Sequence, residues 1–378
     1  MIYNKFKNMN LSALGMGCMR LPTKEGFTDI DTEAAEKLIA YAMERGINYY
    51  DTAWGYHGGK SETVMGEILK KYPRDSFYLA SKFPGYSLDN MDKVEEIFEE
   101  QLKKCQVEYF DFYLFHNVCE SNIDGYLNPK FGILDYLIKQ KKNGRIRHLG
   151  FSTHGTLETM QRFLDAYGEH MEFCQIQLNY IDLTLQNAKA KLELLKKYEL
   201  PVIVMEPVRG GKLASIAPEY EEMLRAQRPD MSIPEWAFRF IQTIPNIIVT
   251  LSGMSNLAQL KENLDTYDTH KPLTDAELKT LLDTADAMMA VTSLPCTSCR
   301  YCVTYCPTKL DIPRIIELYN EHTYSGGGFL PTMAINAMGE GKKPSDCVGC
   351  KACEAVCPQN IAISKMMGDF SKKLNAKK

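Results

Sequence analysis

Eight of the twelve cysteines in this 378-residue chain fall into two matching runs. The first reads Cys296-x2-Cys299-x2-Cys302-x3-Cys306-Pro307, and the second Cys347-x2-Cys350-x2-Cys353-x3-Cys357-Pro358. Thiolates at this spacing hold four-iron–four-sulfur clusters in two-cluster proteins. Three thiolates on one tight loop cover three irons of a cube, and the fourth iron is reached from elsewhere. In this spacing the fourth cysteine of each run ligates the other run's cluster. Cys296, Cys299, Cys302 and Cys357 are therefore assigned to one cluster, and Cys347, Cys350, Cys353 and Cys306 to the other. Zinc sites also use paired CxxC units, but they rarely place three cysteines at x2, x2 ahead of x3-Cys-Pro, and here that pattern occurs twice.

The segment between Cys306 and Cys347 reads as a helix over Ile312–Glu321, a Gly326-Gly327-Gly328 loop and a second helix from Pro331. It is expected to offer a surface for a partner or a lid toward the rest of the chain. The remaining cysteines, Cys18, Cys105, Cys119 and Cys174, are scattered and read as buried apolar residues. With 45% hydrophobic and 24% charged residues and a net charge of -4, acidic and basic groups mixed throughout, the chain reads as a globular protein rather than a nucleic-acid binder. The C-terminal lysines Lys372, Lys373, Lys377 and Lys378 read as a solvated tail. The first residues lack the apolar segment of a signal peptide, and no apolar run is long enough to span a bilayer. A cytoplasmic location is expected, with no membrane partner, which favours metal ligation over disulfides for the cysteines.

Upstream, strands and helices alternate. Segments rich in β-branched and aromatic residues recur at Leu14–Met19, Ile47–Ala53, Phe77–Phe83, Tyr109–His116, Ile146–Ser152, Phe173–Leu178, Pro201–Glu206 and Ile247–Ser252. Several are almost continuously apolar, as strands buried on both faces of a parallel sheet are. Helical periodicity fills the gaps at Thr32–Arg45, Glu62–Lys71, Met91–Lys104, Leu157–Tyr167 and Thr184–Tyr198. Thr274-Asp275-Ala276-Glu277 is a capping box opening a last helix. Eight such units predict an α/β fold, a (β/α)8 TIM barrel over residues 1–290. A small α+β domain carrying the clusters follows over 291–378, with Ser293-Leu294-Pro295 as the linker.

Barrel chemistry sits at the C-terminal strand ends, and polar residues gather there. Asp51 and Tyr56 follow the second strand, Lys82 the third, His116 the fourth, Ser152-Thr153-His154 the fifth, and Gln175, Gln177 and Asn179 the sixth. A tyrosine hydroxyl titrates near 10, and a neighbouring ammonium lowers that value. Lys82, held by Asp51, can do this for Tyr56, making it a general acid toward a carbonyl oxygen. His116 can donate a hydrogen bond to the same oxygen. Trp54, Phe83, Tyr86 and Tyr126 suggest a partly aromatic mouth.

These residues resemble the aldo-keto reductases, and specifically the bacterial branch with a C-terminal bacterial-ferredoxin-like domain. The resemblance is carried by Gly46 to Ala53 with Tyr56, Gly59, Ser61 and Glu62, by Ser81-Lys82 and Leu114-Phe115-His116, and by Gly144 to Ser152. Gln175, Glu206 to Leu213 and Glu262-Asn263 extend it. It implies hydride transfer between a nicotinamide cofactor and an aldehyde or ketone, with Tyr56 as proton donor, Lys82 and Asp51 tuning it, and His116 orienting the carbonyl. It further implies that Ser152 and Gln175 hold the nicotinamide carboxamide. Arg209, Gly210, Gly211 and Lys212, with Gly253, Met254, Ser255, Gln259 and Asn263, would face the cofactor phosphates. The chain departs from the family at Met205, where many members stack an aromatic residue, and at Thr153, where they keep asparagine. Gly253, Met254 and Gln259 stand where basic residues clamp the NADP 2'-phosphate, so NADP and NAD both remain open.

Clusters move single electrons and hydride transfer moves two. A flavin would reconcile them; the chain carries no flavin fingerprint, a flavin is not excluded, and a flavoprotein or ferredoxin partner would serve. The expected function is thus NAD(P)H-dependent interconversion of a small carbonyl substrate and its alcohol, in a barrel fused to a two-cluster electron-transfer carrier. Two alternatives are an electron carrier whose barrel is a docking body, and a carbonyl reductase with purely structural clusters.

Overall fold

The computed structural model describes residues 1–291 and 293–376, so Lys377 and Lys378 of the C-terminal lysine run lie outside the described residues. The chain divides into two compact units, Met1–Leu282 and Asp283–Lys378. The division falls inside the helix Asp275–Ala290 rather than at its end. The capping box opens that helix: the Thr274 backbone N–H donates to Glu277 at 2.8 Å, and the Glu277 N–H returns to the Thr274 hydroxyl at 3.3 Å.

The first unit opens with an antiparallel hairpin, β1 (Tyr3–Phe6) and β2 (Met9–Ser12). Eight parallel strands follow: β3 (Leu14–Gly17), β4 (Tyr49–Asp51), β5 (Tyr78–Phe83), β6 (Phe110–Val118), β7 (Ile146–Thr153), β8 (Cys174–Gln177), β9 (Val202–Met205) and β10 (Ile247–Ser252). They pair in chain order, and β10 closes on β3 to complete a barrel. Each lies within one of the eight apolar segments or overruns it by a residue or two. Helices cover the outside, among them α1 (Thr32–Glu44), α2 (Ser61–Leu69) and α3 (Val94–Cys105). The expected single helix over Thr184–Tyr198 is instead two, Asp182–Leu185 and Ala188–Lys197. Asn187 separates them at φ 50°, a left-handed conformation that asparagine tolerates better than most side chains.

The hairpin closes the end of the barrel opposite the strand C-termini. Phe6, Met9 and Leu11 pack with Tyr49, Phe112, Phe173 and Ile203 from the lower halves of the strands. The Phe6 ring stands 5.7 Å from Phe112 and 6.5 Å from Phe173. With that end filled, the polar residues gather at the other end, where such barrels carry their chemistry.

The second unit contains the helices Tyr301–Thr304, Ile312–Ser325, Phe329–Asn336 and Ile363–Asn375, and no strand among its described residues. This corrects the α+β expectation. The two longer helices, Ile312–Ser325 and Ile363–Asn375, pack Ile315, Ile316, Met366, Met367 and Phe370 into one apolar core with Cys302 and Cys353. No helix among the described residues is long and apolar enough to cross a membrane.

Candidate active site and cluster sites

Asp51 ends β4 and Lys82 lies near the end of β5, adjacent strands in the barrel. Both side chains are buried, at 2% and 1% exposure. The Lys82 ammonium donates to Asp51 Oδ1 at 2.6 Å, to the Thr52 carbonyl at 2.8 Å, and to the Tyr56 hydroxyl at 3.3 Å. Burial works against the Lys82 charge, but Asp51 and Tyr56 outweigh it, so the ammonium sits above its usual pKa. Asp51, where burial outweighs the pull of Lys82, sits above the usual carboxylate range.

Tyr56 stands in a tight loop in which His57, Gly58 and Gly59 all have positive φ. His57 pins that loop: its Nε2 accepts the Leu21 N–H at 3.2 Å, and its Nδ1 meets the Phe27 carbonyl at 2.6 Å. Tyr56 is partly exposed as a residue, and its hydroxyl is buried 3.3 Å from the Lys82 ammonium. Burial pushes that hydroxyl up to about 12, against the downward pull of Lys82. The expected net lowering is therefore not seen: the ammonium acts in the predicted direction, and withdrawal from water exceeds it. His116 is set edge-on to Tyr56 at 6.0 Å, and Tyr86 edge-on to His116 at 5.1 Å. Burial, with Lys82 and His154 nearby, holds the His116 imidazole well below its usual pKa, hence neutral. Its Nδ1 is buried without a protein partner. A protonated tyrosine and a neutral imidazole at one mouth can both donate to a carbonyl oxygen. Of the aromatic residues expected there, Tyr86 is exposed and Trp54 partly so, whereas Phe83 and Tyr126 are core.

Beside the tetrad, Ser152 and Gln175 lie on neighbouring strands in register with each other. The Ser152 hydroxyl accepts the Asn117 N–H at 2.8 Å, which leaves its own proton to donate. Gln175 is buried, with its Nε2 on the Met205 sulfur at 3.8 Å and its Oε1 unpartnered. A buried amide acceptor beside a hydroxyl donor fits a ligand carboxamide. Asn117, next to last in β6, and Glu206 and Arg209, after β9, adopt positive φ, so backbone strain gathers at the mouth.

The expected phosphate-facing residues divide. Gly210 and Gly211 form an open left-handed turn, and Lys212, Gly253, Ser255 and Gln259 are exposed. Arg209 is a correction: it is 5% exposed, with its Nε on the buried Asp182 at 3.1 Å, so it anchors the turn from within. Met254 and Asn263 are also buried, the latter donating to the Ser252 hydroxyl at 3.1 Å. A further cation beside Gly253 and Gly210 is Arg20, just after β3. Its stem would touch a Cβ placed on Gly253 at 2.7 Å, and its guanidinium would lie 3.9 Å from one on Gly210. A basic residue directly after the first barrel strand was its only sign in the sequence. Glu62 and Gln101, which are hydrogen-bonded to one another beside Lys82, were likewise not singled out as site residues.

In the second unit the eight clustered cysteines line two cavities. Cys296, Cys299, Cys302 and Cys357 line one open-sided cavity, with about 320 Å³ free of protein atoms. Cys306, Cys347, Cys350 and Cys353 line another open-sided cavity. The runs repeat in conformation as well as in sequence. Ser298, Arg300 and Lys309 have positive φ, and so do their counterparts Gly349, Lys351 and Asn360. The first two of each set lie one in each x2 loop, and the third follows the Cys-Pro pair. The Leu310 N–H donates to the Cys306 sulfur at 3.4 Å. Four sulfurs around each cavity, drawn from both runs, fit a cubane cluster. Cys18, Cys105, Cys119 and Cys174 are all buried.

Comparison with known proteins agrees with this geometry. Residues 13–285 match the profile of the Aldo/keto reductase family, and residues 295–362 that of the 4Fe-4S dicluster domain. The uncharacterized oxidoreductase YqkF of Bacillus subtilis is 24% identical over 305 residues, covering 72% of this chain and 92% of that protein. The NADH-specific methylglyoxal reductase of Escherichia coli is 24% identical over 327 residues, covering 74% and 97%. Among solved structures, the aldo-keto reductase AKR11C1 of Bacillus halodurans shares the fold with a TM-score of 0.62 at 23% identity, over 75% of this chain and 96% of that one. An aldo-keto reductase from Klebsiella pneumoniae in complex with NADPH does so at 0.57 and 20% identity, over 74% and 94%. The profile match spans the barrel from its first strand to its last helix, and on that ground the chain belongs to the Aldo/keto reductase family, with a 4Fe-4S dicluster domain following the barrel.

Proposed function

We propose that this protein is an NAD(P)H-dependent carbonyl oxidoreductase whose barrel is joined to an electron carrier holding two 4Fe-4S clusters. The observation that carries the reading is the Lys82 ammonium shared between Asp51 and Tyr56 at the strand ends. When bound, the nicotinamide supplies or accepts a hydride, and the clusters carry single electrons. Ser152 and Gln175 hold its carboxamide, and Arg20 with the Gly210–Gly211 turn meets its phosphates. Neutral His116 donates a hydrogen bond that orients the substrate carbonyl. Tyr56 hands its proton to the carbonyl oxygen as the carbon takes the hydride, and Lys82 steadies the tyrosinate that remains. Asp51 keeps Lys82 charged and in place. The reverse sequence oxidises an alcohol.

Cys296, Cys299, Cys302 and Cys357 hold one cluster, and Cys347, Cys350, Cys353 and Cys306 the other. Cys299 and Cys350 are exposed while Cys302 and Cys353 are buried. A cluster held at either site would have one surface-exposed thiolate ligand, which favours exchange with a redox partner, a flavoprotein or ferredoxin, over a purely structural role. Methylglyoxal is the first aldehyde to test, given the substrate named for one similar protein. Tyr56→Phe should lower its reduction by at least ~100-fold, the range of a lost general acid, with NAD(P)H binding and the cluster spectrum unchanged. Turnover equal to wild type in that variant would remove the catalytic assignment.

A further inference from the structure

Glu62 is fully buried, yet nothing in the proton transfer above uses it. It sits at the start of α2, immediately after the Tyr56 loop. Its Oε1 accepts from the Ser81 hydroxyl at 2.7 Å and from the Gln101 amide at 2.6 Å. Ser81 directly precedes Lys82 on β5. Gln101 lies on α3, and its amide also reaches the Lys82 carbonyl at 3.0 Å. Its other end accepts the Tyr113 hydroxyl at 2.6 Å, from β6. One residue earlier, the Ser61 hydroxyl donates to the Cys18 carbonyl at 3.0 Å and meets the Thr52 hydroxyl at 2.9 Å. The start of α2 is thus bonded to the strand that carries Lys82 and to the loops after β3 and β4. Close helix packing makes this possible: a Cβ on Gly66 of α2 would stand 2.4 Å from the Lys104 carbonyl of α3.

We propose that Glu62 is a positioning residue which, through Ser81 and Gln101, ties the Tyr56 loop to the Lys82 strand and so sets the contact between acid and ammonium. Tyr56 and Lys82 lie 26 residues apart and on separate elements, and their 3.3 Å contact needs both backbones fixed together. The inference rests on Tyr56 being the proton donor. The groups around Tyr56 are Asp51 from β4, Lys82 from β5, His116 from β6 and Cys18 after β3. Around Glu62 they are Lys82 and Lys104, the latter 3.8 Å from its Oε2, with Tyr86, Cys105 and Tyr113 also facing its charge.

The test follows Tyr56 directly. Protein carrying 3-fluorotyrosine, whose hydroxyl is more acidic, is titrated by fluorine NMR, with the Tyr56 signal identified by its loss in Tyr56→Phe. In Gln101→Leu the weakened Lys82 contact should move the Tyr56 midpoint upward by about one pH unit. The same variant should lower kcat for aldehyde reduction about tenfold, with KM for NAD(P)H within about twofold, as loss of positioning without loss of binding requires. Glu62→Ala should do likewise. Glu62→Gln, whose amide oxygen can accept the same two bonds, should restore most of the loss. Should Gln101→Leu fail to fold, Glu62→Asp, which shortens the tether, should give the same upward movement. A folded Gln101→Leu or Glu62→Asp with the wild-type midpoint overturns the tether. If the midpoint moves while the wild type reduces no aldehyde with either cofactor, the tether stands and the proposed reaction falls.

Discussion

Lys82 is the residue on which the site's electrostatics turn. An ammonium with 1% exposure stays charged only because a carboxylate 2.6 Å away offsets its lost hydration. Its neighbours titrate away from neutrality in opposite senses: Tyr56 is pushed up to about 12, and His116 is held well below its usual range. The sign of the pH dependence follows. Carbonyl reduction needs Tyr56 protonated and is lost only as pH rises through its raised pKa. His116 stays neutral above its depressed pKa, so no loss is due near pH 6. With kcat/KM measured against pH, reduction should be flat from about pH 6 to about pH 9, and alcohol oxidation, which needs the tyrosinate, should climb through the same range. A reduction limb centred near neutrality would show that some other group is the acid. The tetrad was legible in the sequence because Asp51, Lys82 and His116 interrupt strands that are otherwise apolar. Glu62 and Gln101 were not legible in the same way. They lie on helices, where polar residues are ordinary, and only the packing of α2 on α3 brings them together. Arg209 misled for a related reason: its partner Asp182 lies 27 positions away, and nothing local marks a guanidinium that will be buried.

Among the elements, the eight barrel strands were legible as apolar runs, because a strand covered on both faces leaves a continuous signature. The β1–β2 hairpin was not. Its strands have four residues each, too short for a period to emerge, and its role depends on a barrel that must exist before it can be plugged. Phe6 tests that role. It is 5% exposed and packs on Phe112, Phe173 and His148. Phe6→Ala should destabilise the barrel by roughly 3 kcal/mol, at the lower end for a buried phenylalanine, because the hairpin can partly collapse into the space. Conservation of function at the far mouth is the sharper part of the prediction. The bottom of such a barrel serves stability and the top serves chemistry, so kcat below the melting transition should match wild type. Thermal unfolding followed by circular dichroism, beside steady-state rates, checks both halves. A large fall in kcat with an unchanged melting temperature would show that the hairpin reaches the site and does not merely close the barrel.

For the whole molecule, two chemistries have to meet: a hydride carries two electrons together, and a cluster accepts one. Two clusters, one at each proposed site, would hold two electrons in successive single steps, which would give the paired cysteine runs a reason to occur together with the proposed hydride transfer in the barrel. Cys299 separates this from a structural role, because it is exposed, is a proposed cluster ligand, and its replacement leaves the barrel sequence intact. Under anaerobic conditions NADPH or NADH should bleach the broad visible absorbance of wild-type clusters, and any flavin would appear in the same spectrum. In Cys299→Ser one cluster site loses a thiolate, and the bleachable absorbance should fall to about half, as expected if each site holds one cluster of similar absorbance. Reduction of a one-electron acceptor by NAD(P)H should fall with it, while direct reduction of methylglyoxal, which needs only the barrel, should continue. If the clusters of the wild type do not bleach although methylglyoxal still consumes cofactor, the barrel works alone and the clusters serve a separate partner. If Cys299→Ser abolishes the methylglyoxal reaction with the barrel still folded, the clusters take part in the carbonyl chemistry itself, and hydride transfer within the barrel is not the whole reaction.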